Sequence, residues 1–170
     1  KYDKTGWAHY YLDTVDGKLV NSWTSGEWQV TGLEFIDEKN KTLYFSARKE
    51  NSATQDLYSV AFSGKNLKRL TFGDYSHQVQ VSPDGKYFIT NYSNVETPNR
   101  VALVANTGKV IKELADSKGA EFADYTIGKT TFFTIPSDDG AYNLPVIITY
   151  PRNFDESKSY PVVMSIYGGP

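Results

Sequence analysis

The side chains able to do acid–base or nucleophilic chemistry are few in this chain and widely spaced. There are two His (His9, His77), no Cys and no Gly-x-Ser-x-Gly in 170 residues. A serine on a strained strand-to-helix turn is therefore absent, as are a cysteine nucleophile, a thiolate metal site and any disulfide. Ser46-Ala-Arg-Lys49 has the Ser-x-x-Lys spacing of one acylating class, but the companion motifs of that class are missing and the match reads as coincidence. Asp74-Tyr-Ser-His77 sets a hydroxyl beside an imidazole in sequence only. Neighbours along a strand point to opposite faces, so Ser76 and His77 are not expected to meet. His77 is expected at the start of a blade, hydrogen-bonded to a neighbouring strand. Asp13-Thr-Val-Asp-Gly17 and Asp138-Asp-Gly140 look like calcium loops but lack the alternating ligands and terminal Glu, and read as hairpin turns. No metal or cofactor site is expected. Asn40-Lys-Thr42 and Asn91-Tyr-Ser93 fit the N-glycosylation pattern at near chance frequency. The one remaining candidate is Tyr167, which ends an apolar run and precedes Gly168-Gly169-Pro170. The glycines let the backbone turn sharply, and the phenol either donates to a developing oxyanion or merely caps the strand.

The elements that must position Tyr167 follow from repetition. Leu57-Tyr-Ser-Val60 with Gly64-Lys65 recurs without gaps 44 residues later as Val101-Ala-Leu-Val104 with Gly108-Lys109. An upstream copy begins at Tyr10-Tyr-Leu12 and ends at Thr24-Ser-Gly26, matching Thr71-Phe-Gly73. Gly32–Ile36 and Leu43–Ala47 likewise correspond to Gln78–Ser82 and Tyr87–Asn91, the intervening turn being longer in the first and a compact Pro83-Asp84-Gly85-Lys86 in the second. The segments are short, rich in Val, Ile, Tyr, Phe and Thr, and bounded by Gly, Asn, Asp or Pro, as strands are. Four strands in a unit of this length are the spacing of a β-propeller blade. The expected class is all-β: a partial propeller of about two and a half blades over residues 1–115, comprising two trailing strands (Trp7–Thr24), a full blade (Trp28–Thr71) and another (His77–Leu114). The abundant Tyr and the three Trp are then packing between stacked sheets.

A linker with at most a short helix near Asp116–Ala123 is expected over 116–129. Thr130–Ile135 and Asn143–Thr149 read as a hairpin around Pro136–Gly140, with Pro145 at an edge or bulge. Tyr160–Ile166 reads as a buried strand delivering Tyr167 to the carboxyl end of an α/β sheet. With 18 Lys+Arg against 20 Asp+Glu and no basic block, a nucleic-acid footprint is not expected. No apolar run approaches the roughly 20 residues of a membrane helix, and the chain reads as soluble. Its start at Lys1, without Met or leader, reads as a cut.

Thr24–Thr31, Asp37–Phe45, Ser82–Ile89, Tyr92-Ser-Asn94 with Thr97-Pro98, Asn153–Val162 and Tyr167-Gly-Gly-Pro170 together resemble the dipeptidyl peptidase IV branch of the prolyl oligopeptidase clan of serine peptidases. The Tyr-Gly-Gly-Pro form favours that branch, whereas Asn143-Leu-Pro-Val146 departs from its polar-aromatic pattern. The resemblance implies a parent enzyme that releases N-terminal dipeptides after Pro or Ala, with residues 130–170 starting its α/β-hydrolase domain and the Tyr167 hydroxyl serving the oxyanion hole. It implies a peptide substrate, no cofactor, a periplasmic or cell-surface location, and leaves room for a homodimeric parent. The triad Ser, Asp and His, and the acidic pair for the substrate amine, have no counterpart in this sequence, so the chain alone is expected to be inert. The alternative is a non-catalytic propeller that serves as an interaction or sensor module.

Overall fold

The computed structural model describes residues 1–166. Among the described residues fourteen strands form five antiparallel sheets. β1 (Tyr2–Asp3) pairs with β2 (Ala8–His9), and β3 (Tyr11–Asp13) with β4 (Leu19–Ser22). β5 (Gln29–Asp37), β6 (Thr42–Arg48), β7 (Asp56–Ala61) and β8 (Lys68–Arg69) make one four-stranded sheet in sequence order. β9 (Ser76–Val81), β10 (Tyr87–Ser93), β11 (Arg100–Ala105) and β12 (Val110–Asp116) make a second. These are the two full units expected from the 44-residue spacing, with β3–β4 as the trailing pair; the β1–β2 ladder was not anticipated. β5 spends nine residues on the span β6 covers in seven, and the register shifts leave Thr31 and Glu34 as bulged residues.

Turn chemistry sets the hairpins. Thr14-Val-Asp-Gly17, Ser82-Pro-Asp-Gly85 and Ser137-Asp-Asp-Gly140 close identically: the hydroxyl donates to the Asp two residues on at 2.6–2.7 Å, and the Gly amide returns to the first carbonyl at 2.8–2.9 Å. Both calcium-loop look-alikes are thus hairpin turns. In the ungapped repeat, Gly64 (φ 76°) and Gly108 (φ 90°) each let a turn touch the preceding sheet: a Cβ at Gly64 would lie 2.7 Å from the Ser22 carbonyl oxygen, and one at Gly108 2.9 Å from that of Leu70.

The core lies between stacked sheets. Trp28, Val30, Leu43, Phe45, Ala47, Tyr58 and Val60 pack with Tyr10, Trp23 and Phe62 on one side of the β5–β8 sheet. Tyr44, Leu57 and Leu70 meet Phe88, Tyr92, Ala102 and Val104 on the other. Because β6 is covered on both faces, Leu43 through Ala47 are buried without alternation. On β10 only Phe88, Thr90 and Tyr92 are buried, and Tyr87 and Ile89 face outward. At roughly 1.5–3 kcal/mol for each large apolar side chain removed from water, this stacking is the main favourable contribution.

The helix expected near Asp116–Ala123 is a single 3₁₀ turn, Ala120–Asp124, that buries no residue. β13 (Thr130–Pro136) and β14 (Asn143–Thr149) form the expected hairpin, in unbroken register from Thr130↔Thr149 to Pro136↔Asn143. Pro145 sits opposite Thr134 without a bulge; in a two-stranded ladder both strands are edges, so its missing N–H costs no pairing. One expectation is corrected. Residues 160–166 form no strand, and Val162, Val163, Met164 and Ile166 are exposed by 78–94 %. An apolar run becomes a strand only beside another strand that takes up its N–H and C=O groups, and among the described residues none flanks it. Beyond the 3₁₀ turn, the strands among the described residues are therefore those of the two-stranded antiparallel β13–β14 hairpin alone.

Candidate functional site

Tyr167, with Gly168–Pro170, lies outside the described residues, so the oxyanion role has no geometry here. What the fold does assemble is a set of buried polar side chains at the sheet junctions. Thr24 and Thr71 occupy matching positions after β4 and β8, and each hydroxyl accepts a backbone amide, from Tyr10 at 3.0 Å and Leu57 at 3.2 Å. Each also meets a buried side chain fifteen residues upstream: His9 Nδ1 at 3.0 Å in the first unit, Asp56 Oδ1 at 2.7 Å in the second. Asp56, 2 % exposed, additionally takes the Arg69 guanidinium at 2.8 Å. Arg69 donates onward to the Gly73 carbonyl at 2.7 Å. The third unit has Arg100 and Asp116 at the corresponding strand ends, 2.9 Å apart and partly exposed. The Thr-x-Gly repeat signalled this lock, but its partners, His in one copy and Asp in the other, break the pattern that sequence comparison follows.

His77 is fully buried. Its Nε2–H donates to the Phe72 carbonyl at 2.9 Å, which fixes Nδ1 as the acceptor for the Thr90 hydroxyl at 2.9 Å. The expected bond to a neighbouring strand is thus made to β10, while Ser76 Oγ accepts from the Gln55 amide and does not meet the imidazole. Burial holds His77 below its ordinary value, outweighing the hydrogen bond to Phe72 and the Asp56 charge. Ser46 Oγ donates to Glu34 at 2.6 Å, while Lys49 sits 3.7 Å from Glu50, so the Ser-x-x-Lys match pairs no nucleophile with a base. Tyr58 donates to Glu50 at 3.0 Å and Tyr92 to Glu113 at 2.9 Å; burial first, then the adjacent carboxylates, push both phenols up. The buried members of this set, Thr24, Thr71, Asp56 and His77, are each hydrogen-bonded to backbone or side chains of a neighbouring strand or loop, and so hold the sheet junctions in place.

A cleft of about 630 Å³ runs between the β13–β14 hairpin and the loops at one end of the two sheets, with Thr54, Asp74, Ser76 and Asn94 facing Thr131 and Phe132. Asn51 and Asn94 are spent on their own loops, each accepting two backbone amides at 2.8–3.0 Å. Among the described residues no three His, Asp or Glu side chains gather in a way that could hold a metal ion. No helix there is long and apolar enough to cross a membrane.

Residues 1–99 match the family described as the dipeptidyl peptidase IV (DPP IV) N-terminal region. The dipeptidyl peptidase 4 of Arthroderma otae is 35 % identical over 173 aligned positions, covering 99 % of this chain and 22 % of the relative. That of Trichophyton rubrum is 32 % identical with the same coverage. The crystal structure of Porphyromonas gingivalis dipeptidyl peptidase 4 superposes with a TM-score of 0.80 at 27 % identity, over 94 % of this chain and 23 % of that one. The chain spans about a fifth of the length of the relatives it matches.

Proposed function

Since the chain belongs to the dipeptidyl peptidase IV N-terminal-region family, we propose that it is the junction of a serine-type dipeptidyl peptidase: late propeller blades in 1–115, a linker, and the opening of an α/β-hydrolase domain in 130–170. The observation that carries this reading is that similarity to the A. otae enzyme runs well past residue 99 and takes in 99 % of the chain. In the proposed enzyme the blades position the hairpin, and Tyr167 donates its phenol hydrogen to the oxyanion formed when serine attacks the scissile carbonyl. The substrate is a peptide with a free N-terminus, cleaved after a penultimate Pro or Ala, and the enzyme works at the periplasmic face or cell surface, where homodimers can form. Without a nucleophile and base there is no oxyanion to stabilise, so this chain alone turns nothing over. The test is a Gly-Pro p-nitroanilide assay on the full-length protein and on the 170-residue chain side by side. Turnover by the former and none by the latter supports the reading; inactivity of a folded full-length protein favours the interaction module, and acylation of the short chain refutes the division of labour.

A further inference from the structure

The blade junction contains an imidazole that the peptidase reading does not use. His77 joins three pieces of chain. Its Nε2–H holds the Phe72 carbonyl just after β8, its Nδ1 holds Thr90 on β10, and its backbone N–H donates to the Gln55 carbonyl before β7 at 2.7 Å. Gln55 answers with its side-chain amide on the His77 carbonyl at 3.3 Å. The ring stacks on Tyr92 with centroids 5.6 Å apart and is met edgewise by Phe72 at 5.2 Å and Tyr75 at 6.2 Å. The arrangement suits only the neutral ring. A proton on Nδ1 would force the Thr90 hydroxyl, itself fully buried, to turn and become an acceptor, leaving its hydrogen without a partner.

We propose that His77 is an acid-sensitive latch: its protonation releases the junction between the two four-stranded sheets and frees the loops at Thr54 and Asp74–Ser76 that wall the cleft beside the β13–β14 hairpin. The groups facing the ring set the balance. Asp56 on β7 attracts the cation, but its carboxylate is already shared between Arg69 on β8 and Thr71, and Arg69 repels it. Tyr92 on β10 presents a neutral ring whose phenol is tied to Glu113 on β12. Asp74 and Tyr75 stand in the connection before β9, with Asp74 on the cleft side. With burial against it, the proton is taken up mainly by the open form. The junction is therefore at full strength above the ordinary His value of about 6.5 and weakens as pH falls below it, by up to tenfold per pH unit in the opening equilibrium.

The experiment is amide hydrogen exchange on the 170-residue chain between pH 7.5 and 5, corrected for intrinsic exchange, with His77→Gln as the non-titrating control. Protection at His77, whose amide crosses the junction to Gln55, should fall about tenfold per unit below about pH 6.5, while the Tyr44–Ala47 amides at the centre of β6 hold. In His77→Gln the pH slope should vanish. If that variant does not fold, the wild-type map still decides: protection independent of pH at the junction, or loss spread evenly over both sheets, overturns the latch.

Discussion

Asp56 shows how much a single buried carboxylate can organise. It takes Arg69 and Thr71 together while 2 % exposed, so truncating it strands a guanidinium and a hydroxyl at a sheet junction. Because Arg69 stays about a third exposed and keeps the Gly73 carbonyl, Asp56→Ala is expected to cost about 1.5–3 kcal/mol, read as a lower urea midpoint with an unchanged m-value. A change under about 1 kcal/mol would mean water replaces the carboxylate. Tyr58→Phe removes only the donor to a partly exposed Glu50, and about 1 kcal/mol is expected from the same melt. These residues were hard to read in advance for a physical reason. Thr24 and Thr71 stand out in the repeat, but whether His, Asp or Arg completes the lock depends on what sits across the junction, which a linear pattern does not contain. Tyr167 was the opposite case: its motif is readable from Tyr-Gly-Gly-Pro, while its geometry lies outside the described residues.

At the scale of elements, the turns carry the most local information. Thr14, Ser82 and Ser137 clamp Asp16, Asp84 and Asp139, and these hydroxyl hydrogen bonds hold all three carboxyls below the ordinary Asp value. The turns should therefore be intact above about pH 3.9 and weaken as pH falls through the lowered values, the order expected when the folded form releases its proton more readily. Carboxyl titration by NMR checks this, and ordinary Asp values at all three sites would count against it. Gly64→Ala tests the closer constraint, positive φ with a carbonyl oxygen in the Cβ position, and should destabilise by more than about 1 kcal/mol in thermal melts. Strand pairs within the repeat were legible because turn residues and apolar alternation agree there. Tyr160–Ile166 failed because apolarity and β-propensity mark a segment that wants a sheet, without saying that a neighbouring strand is present to receive it.

The described residues form two stacked four-stranded sheets and three two-stranded ladders, with the last four-stranded sheet showing Tyr87 and Ile89 outward and β12 at an edge that no other described strand pairs. Lys112 and Glu113 on that edge, and two register shifts against β11, blunt it without closing it. The 170-residue chain should therefore self-associate as its concentration rises, and sedimentation velocity giving one monomeric boundary at every concentration would contradict that. At this scale our proposal is that the chain leads into a hydrolase active site to which Tyr167 contributes its hydroxyl. Its most direct measurement is the steady-state kinetics of Tyr167→Phe in the full-length protein on Gly-Pro p-nitroanilide. In that variant kcat should fall by about 10²–10³ with little change in KM, as for loss of one oxyanion donor. A variant that keeps the parent kcat would contradict it.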